Sequence, residues 1–181
     1  MSLEILTQRA KLRLITIEDS AAIHSLHTIP EVDAYNTLGI PSNIEETKAV
    51  IIPWIKDNAQ YPIKNYTFVI EKTNTNVFMG LFGLKLGPKK YKGAEVWYKI
   101  HPEFWNKGIA TAVLREIIAF SFESLDLHRI EAGCAVNNMA SIKVLEKAGM
   151  TQEGRRRQIL PLASGWSDNF EYAILDSDPL K

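Results

Sequence analysis

The 181-residue sequence predicts an α+β fold in which a mixed, mostly antiparallel central sheet is flanked by helices. Three strand-like segments follow one another through residues 66–100 with short turns between them, which indicates an antiparallel meander. A strand, a helix and another strand then occupy residues 94–136, and such a unit is expected to run parallel with a right-handed crossover. No repeat, low-complexity tract or flexible linker divides the chain, so we expect one domain over residues 1–181.

The N-terminal segments alternate between strand and helix patterns. Residues 10–17 (AKLRLITI) alternate apolar and basic side chains, as a half-buried strand does. Residues 18–20 (EDS) supply N-cap chemistry for a helix to about His27. Ser42 begins a capping-box pattern (SNIE) for a second helix towards Asn58, in which Pro53 should produce a kink or a break.

The remaining elements follow from changes in apolar periodicity. Gly80 and Gly83 lie within the second strand of the meander and permit close backbone approach or a bend there. We predict strands at 66–71, 77–86 and 94–100, a helix at 108–125, a strand at 129–136, a helix at 138–148, and closing strands at 150–154 and 169–175 around a polar loop at 162–167.

Charge and hydropathy exclude several classes of function. Lys and Arg together number 21, as do Asp and Glu, and this balance argues against nucleic acid as the main partner. The most apolar run, residues 109–122, contains Arg115 and Glu116 and is shorter than the roughly 20 residues that a membrane-spanning helix needs. The first residues lack the apolar core of a signal peptide, so we expect a cytoplasmic protein with no membrane association.

Cysteine and histidine usage predicts a reduced, metal-free protein. Cys134 is the single cysteine, and we expect a buried structural thiol rather than a nucleophile. His24 and His27 lie three residues apart on one predicted helix, where we expect them to be half-exposed rather than metal ligands.

The segment at residues 101–112 (HPEFWNKGIATA) connects a predicted strand to a predicted helix. A glycine-containing turn exposes successive main-chain N–H groups, and the helix N-terminus adds partial positive charge, which suits a pyrophosphate. Gly108 and Ala110 keep side chains away from these amides, and Lys107 can add a charge at the rim. Many strand-to-helix turns contain glycine and bind nothing, so at this point an anion site and an ordinary turn remain alternatives.

This segment resembles the acetyl-CoA pyrophosphate loop of the GNAT acetyltransferases, usually written Arg/Gln-x-x-Gly-x-Gly/Ala. Trp105 stands in the Arg/Gln place, which is similar to the RimJ/RimL-like branch that acetylates ribosomal-protein N-termini, and Asn106 replaces that branch's common Gly. The remaining matches follow in the same order as in the branch: residues 7–19 at the start, then HRIEA at 128–132, NMAS at 138–141, LEKAGM at 145–150, Glu153-Gly154, and Gly165 with Asp168. The resemblance therefore covers nearly the whole chain.

The resemblance implies a GNAT fold with a splayed parallel strand pair at its centre, and a neutral amine that directly attacks the thioester of bound acetyl-CoA. No metal is implied. The residues that would contact the co-substrate are Tyr98, Lys99 and Ile100 through a main-chain donor near a strand bulge, the amides of Asn106, Lys107, Gly108, Ile109, Ala110 and Thr111, and the side chains of Asn138 and Ser141.

The resemblance also implies catalytic roles, each with a simpler alternative. Ser141 would protonate the thiolate leaving group, or it is an ordinary polar residue in the first turn of a helix capped by Asn138. Glu95 would assist water-mediated removal of the amine proton, or it is an outward-facing strand carboxylate. The later place where the branch often carries a glutamate holds Gln158 here, which cannot act as a base.

Other polar and aromatic residues have two interpretations. Asp168 would orient a substrate loop or stabilise a turn. Residues 155–157 (RRR) form a largely solvated face, or a basic cluster of which only part can reach one ligand. Four aromatic residues could line an acceptor groove or pack in the core: Trp54, Tyr61, Tyr66 and Trp166.

The leading functional hypothesis is acetylation of a protein N-terminal amine. A small amine acceptor such as a polyamine, amino sugar or antibiotic is the first alternative, and a non-catalytic acyl-CoA-binding regulatory module is the second. Acidic residues in the acceptor pocket would favour a polyamine, whereas an open groove would favour a peptide. A homodimer is expected from the resemblance only.

Overall fold

The computed structural model describes residues 3–180 and forms one eight-stranded sheet with helices on both faces. The strands lie in the order β1-β2-β3-β4-β5-β6-β8-β7. They are β1 (Glu4–Leu6), β2 (Ala10–Leu14), β3 (Asn65–Lys72), β4 (Phe78–Leu86), β5 (Gly93–Ile100), β6 (Arg129–Ala135), β7 (Thr151–Leu162) and β8 (Gly165–Leu175). The helices are α1 (Ser20–His27), α2 (Pro30–Asp33), α3 (Ile44–Asn58), α4 (Ile109–Glu123) and α5 (Met139–Lys147).

The predicted mixed sheet is confirmed. β3, β4 and β5 form the antiparallel meander, and β5 and β6 are joined through α4 as a parallel pair. That parallel pairing covers Gly93–Glu95 against Arg129–Glu131 and goes no further, although both strands continue. The two strands therefore part beyond Glu95, which is the splay that the family resemblance implied.

Apolar layers on the two faces of the sheet hold the helices. The layer under α4 and α5 includes Phe68, Phe82, Ile117, Ile130 and Leu145. The layer under α1, α2 and α3 includes Ile23, Leu26, Ile51, Val69 and Leu81. Neighbouring strand residues alternate between these layers, as the period-2 pattern requires.

The N-terminal half differs from the prediction in its caps and short elements. The cap of α3 is Asn43, whose Oδ1 accepts from the Glu46 amide at 3.0 Å, so the N-cap lies one residue beyond the predicted Ser42. The helix continues through Pro53, contrary to the predicted break. Ala49, whose carbonyl loses its partner to the proline, is exposed, so water can satisfy that carbonyl. Strand β1 and the single-turn helix α2 were not predicted.

The closing hairpin is longer than the sequence indicates. β7 and β8 pair from Thr151 to Leu162, and residues 163–164 alone separate the strands where a loop at 162–167 was predicted. Most β7 side chains are exposed on both faces, so main-chain pairing with β8, rather than burial, defines this strand.

Candidate active site

The turn before α4 has the backbone conformation of an anion-binding loop. Asn106 (φ 58°) and Gly108 (φ 76°) both adopt the left-handed region. The Trp105 indole Nε1 donates to the Ile100 carbonyl at 2.6 Å and ties the turn to the end of β5. Arg9 donates to the Lys107 carbonyl at 3.3 Å from the other side. A Cβ on Gly108 would meet no atom within 4 Å, so the space beside this residue is open.

The amides of this turn are free to bind a ligand. Within the described part of the chain, the six main-chain N–H groups from Asn106 to Thr111 donate to no acceptor. They stand at the N-terminus of a 15-residue helix, where the helix dipole adds positive potential. Free amides, an absent side chain at Gly108 and the nearby Lys107 all suit the pyrophosphate of acetyl-CoA.

The gap between β5 and β6 presents main-chain donors from alternate residues of β5. His101 N donates to Met79 O and Gly87 N to Gly93 O, each at 2.8 Å, so odd-numbered residues of β5 direct their N–H and C=O groups towards β4. Tyr98 and Ile100 therefore direct their N–H groups into the gap. Lys99, also predicted as a main-chain contact, has its backbone turned towards β4.

The predicted strand bulge is not present in the pairing of β5 with β4. The register runs without a shift from Ala94 opposite Leu86 to Ile100 opposite Gly80. Divergence from β6, rather than a bulge, exposes the Tyr98 and Ile100 amides.

Ser141 lies at this gap and is hydrogen-bonded to a residue that the sequence analysis considered only for its main chain. The Tyr98 hydroxyl is 2.8 Å from Ser141 Oγ. Burial raises the pKa of Tyr98 well above its usual range, so the phenol is neutral and can donate. Asn138 caps α5 by accepting from the Ser141 amide at 3.1 Å, and this fixes Ser141 in the first turn.

Glu95 is placed away from this hydroxyl pair. It is exposed, it lies opposite Lys85 and Glu131 in the sheet, and strand alternation directs its side chain to the face opposite Tyr98. Its catalytic role therefore stays a prediction.

A cleft of about 580 Å³ opens beside the C-terminal end of β6. Its rim is closed on one side by the Tyr35 hydroxyl, which donates to the Asn137 carbonyl at 3.1 Å. Asp168 accepts from the Gln158 amide at 2.9 Å and from Arg155 Nε at 2.7 Å, and these contacts lower the pKa of its carboxyl. The lining residues are Tyr35, Val136, Asn137, Arg155, Gln158, Leu162, Ser164, Trp166, Ser167 and Asp168.

The four aromatic candidates for an acceptor groove separate in the structure. Trp166 lines the cleft, whereas Trp54 packs against Trp97 with ring centroids 5.3 Å apart. Tyr66 stacks on Phe68 in the core, and Tyr61 is fully exposed.

The arginine run is divided between two ion pairs. Arg155 pairs with Asp168 and Arg156 with Glu171, so these two side chains engage the neighbouring strand β8. All three arginines are nevertheless exposed, as the predicted solvated face requires.

The buried-thiol interpretation of Cys134 agrees with the structure, in which burial raises the pKa of this thiol to about 11. The expectation for His27 was wrong: this ring is buried against Trp54 rather than half-exposed, because α3 covers it.

Among residues 3–180 no group of three or more His, Cys, Asp or Glu side chains is arranged to hold a metal ion, and no helix has the length and apolarity to cross a membrane.

Free amides at a helix N-terminus beside parted parallel strands are the features expected of an acyl-CoA-dependent acyltransferase. The chain belongs to the GNAT acetyltransferases, because residues 9–151 match the family model described as an acetyltransferase (GNAT) domain. It is accordingly an acetyl-CoA-dependent N-acetyltransferase with an amine acceptor.

Similar proteins include members with different acceptors. The uncharacterized N-acetyltransferase YoaA of Bacillus subtilis is 33% identical over 155 residues, which are 85% of this chain and 86% of YoaA. The putative ribosomal N-acetyltransferase YdaF of Bacillus subtilis is 39% identical over 82 residues, 45% of each chain. The spermidine N(1)-acetyltransferase of Vibrio cholerae is 28% identical over 143 residues, 79% of each chain. A GNAT-family acetyltransferase structure from Bacillus anthracis superposes with a TM-score of 0.84 at 26% identity, covering 97% of this chain and 100% of that chain.

Proposed function

We propose that this enzyme acetylates the N-terminal α-amine of a protein, as a member of the RimJ/RimL-like branch. The proposal rests on the charge of the side chains that line the cleft beside β6. Asp168 is the one carboxylate among its lining residues, and Arg155 neutralises it. A polyamine carries several positive charges and requires uncompensated acidic groups, whereas a peptide N-terminus needs an open groove with polar main-chain partners.

The co-substrate is bound, in this proposal, by the backbone of the turn before α4. The amides of Asn106–Thr111 hold the pyrophosphate, and the Tyr98 and Ile100 amides polarise the thioester carbonyl. The chemistry that acetyl-CoA supplies is an activated acyl group with a thiol leaving group.

The proton donor is the Ser141–Tyr98 hydroxyl pair. Ser141 donates to the departing sulfur, and the neutral phenol of Tyr98 replaces the proton through their 2.8 Å hydrogen bond. Glu95 lies three residues before Tyr98, about 10 Å along β5, and on the opposite face of the strand, so any assistance from Glu95 passes through water.

A small amine acceptor is the second candidate, and the similarity to spermidine N(1)-acetyltransferase favours it. The two acceptors are distinguished by following thiol release with a tetrapeptide bearing a free N-terminal alanine, the same peptide N-formylated, and spermidine.

We expect thiol release with the free peptide and none with the blocked one. Ser141→Ala should lose turnover while calorimetry shows unchanged acetyl-CoA binding, and Ser25→Ala, an exposed serine of α1, is the matched control. Release with spermidine alone would contradict the protein-acceptor proposal. Binding without release from any amine would indicate a regulatory module.

A further inference from the structure

A polar cluster is buried beneath the helical layer on the face opposite Tyr98. It comprises His27 of α1, Asp33 of α2 and Lys99 of β5, which are 2%, 8% and 7% exposed. Lys99 shares its strand face with Trp97, which packs on Trp54 of α3. Buried lysine and aspartate side chains are rare unless they are paired.

The cluster has unsatisfied hydrogen-bonding groups. Among the described residues, Asp33 Oδ1 and His27 Nε2 are buried without any partner. An unpaired buried polar atom destabilises a fold, so a carboxylate oxygen left in this state calls for a functional explanation. The arrangement provides an acceptor atom at Asp33 for a group that brings its own N–H donors.

The cluster adjoins both parts of the site. Lys99 stands between Tyr98 and Ile100, the two residues whose amides enter the β5–β6 gap. Asp33 ends α2 two residues before Tyr35, which closes the rim of the cleft through Asn137. Asp33 and Lys99 lie on the face of β5 that α1 and α2 cover, while the Ser141–Tyr98 pair lies on the other.

We propose that Asp33 Oδ1 binds the primary ammonium group of the acceptor and that Lys99 promotes the loss of its proton. This inference rests on the proposed function only in requiring a primary amine. It places amine activation on one side of β5 and protonation of the leaving group on the other.

The proton balance is complete with solvent as the acceptor. The ammonium group releases one proton to water through the cleft, and the freed lone pair forms the N–C bond with the acetyl carbonyl. The C–S bond breaks, the thiolate takes the Ser141 hydroxyl proton, and Tyr98 and then water restore that proton. The amide nitrogen loses its second proton to water.

Electrostatics supports the role of Lys99. Burial lowers the pKa of Lys99 to about 8, and the Asp33 charge opposes that shift. The other titratable group facing Lys99 is His27, whose pKa burial lowers to about 4, so this ring is neutral at pH 7. The Asp33 carboxylate that binds the ammonium raises the ammonium pKa, and the nearby lysine cation opposes that rise and so increases the neutral, nucleophilic fraction.

The first test replaces the carboxylate without changing its size. Asp33→Asn should reduce kcat/KM for the acceptor about tenfold or more, mainly through KM, with acetyl-CoA affinity unchanged within about twofold. Glu31→Gln removes an exposed carboxylate from the same helix and should behave as wild type. An unchanged acceptor KM in Asp33→Asn, or a parallel loss of acetyl-CoA binding, would overturn the proposal.

Two further measurements address proton loss directly. Lys99→Met keeps the length of the side chain and should move the acidic limb of the kcat profile, which reports the bound complex, to higher pH by about one unit. On the unmodified enzyme with CoA bound, calorimetry of acceptor binding in two buffers of different ionisation enthalpy should show net proton release, and an absence of release would contradict the role of Lys99.

These outcomes are separate from the test of the acceptor class. If the unmodified enzyme acetylates spermidine and not the tetrapeptide, the protein-acceptor proposal fails, and the Asp33 and Lys99 measurements proceed with spermidine. If it acetylates the tetrapeptide but Asp33→Asn has the wild-type acceptor KM, the inference fails and the acceptor class stands.

Discussion

The buried His27 should make the folded state sensitive to mild acid. Its ring is 2% exposed and lies edge-on to Trp54, and burial together with the nearby Lys99 charge lowers its pKa from 6.5 to about 4. Between those two pH values the unfolded chain binds the proton and the folded chain does not. The free energy of unfolding is therefore fully retained above pH 6.5 and falls as the pH decreases towards 4.

The size of this effect follows from the pKa difference. The two pKa values differ by 2.5, and at 1.36 kcal/mol per unit the complete loss is about 3 kcal/mol. At pH 5 the loss relative to pH 7.5 is about 2 kcal/mol, a large share of the 5–15 kcal/mol that typically stabilises a domain.

The assay is urea unfolding followed by tryptophan fluorescence at pH 7.5, 6.5, 5.5 and 5.0, since Trp54 reports on the ring's surroundings. His27→Leu removes the titrating group without leaving a new unpaired polar atom, because Nε2 already has no partner among the described residues. We expect its unfolding free energy to decrease less than that of the wild type, by about 2 kcal/mol over this range. His128→Gln, an exposed site, should keep the wild-type dependence. Equal pH dependences in His27→Leu and wild type would refute the reasoning.

Three substitutions test other parts of the structure. Tyr98→Phe removes the hydroxyl that bonds Ser141 and should lower kcat about tenfold with unchanged acetyl-CoA affinity, as steady-state kinetics and calorimetry would show. Gly108→Val places a branched side chain at φ 76°, which should cost about 1–2 kcal/mol of stability in thermal melts and weaken acetyl-CoA binding about tenfold in calorimetry. Gly83→Ala brings a Cβ to 2.0 Å from the Trp97 indole nitrogen, so the indole must move, and denaturant unfolding should show a loss of about 1–3 kcal/mol.

Periodicity predicted the elements that bury one face. The helix α4 and the strands β3 to β6 were located within one or two residues because their apolar spacing repeats over several turns or pairs. β1 has three residues and α2 has a single turn, and both are too short to show a repeating apolar pattern in the sequence. Residues 155–158 of β7 are exposed on both faces, so no alternation marked them as a strand.

The loop that precedes α4 was predictable because its function depends on contiguous backbone. The Tyr98–Ser141 hydrogen bond joins residues 43 positions apart, and no local pattern indicates it. The burial of Lys99 is harder still to predict from the sequence, since a lysine in an alternating strand normally has a solvated side chain. Its burial becomes visible only once α1 and α2 cover that face of β5.

The short contact between β5 and β6 has a consequence for how the enzyme and its co-substrate are coupled. The described pairing across this junction spans three residues on each strand, and it joins a five-stranded half of the sheet to a three-stranded half. Main-chain groups left open there exchange with solvent through local opening rather than global unfolding. A co-substrate that occupies the junction acts as a bridge between the two halves. At one hundred times its Kd it should raise the stability of the whole fold by about 2.7 kcal/mol and slow amide exchange most strongly at Tyr98 and Ile100.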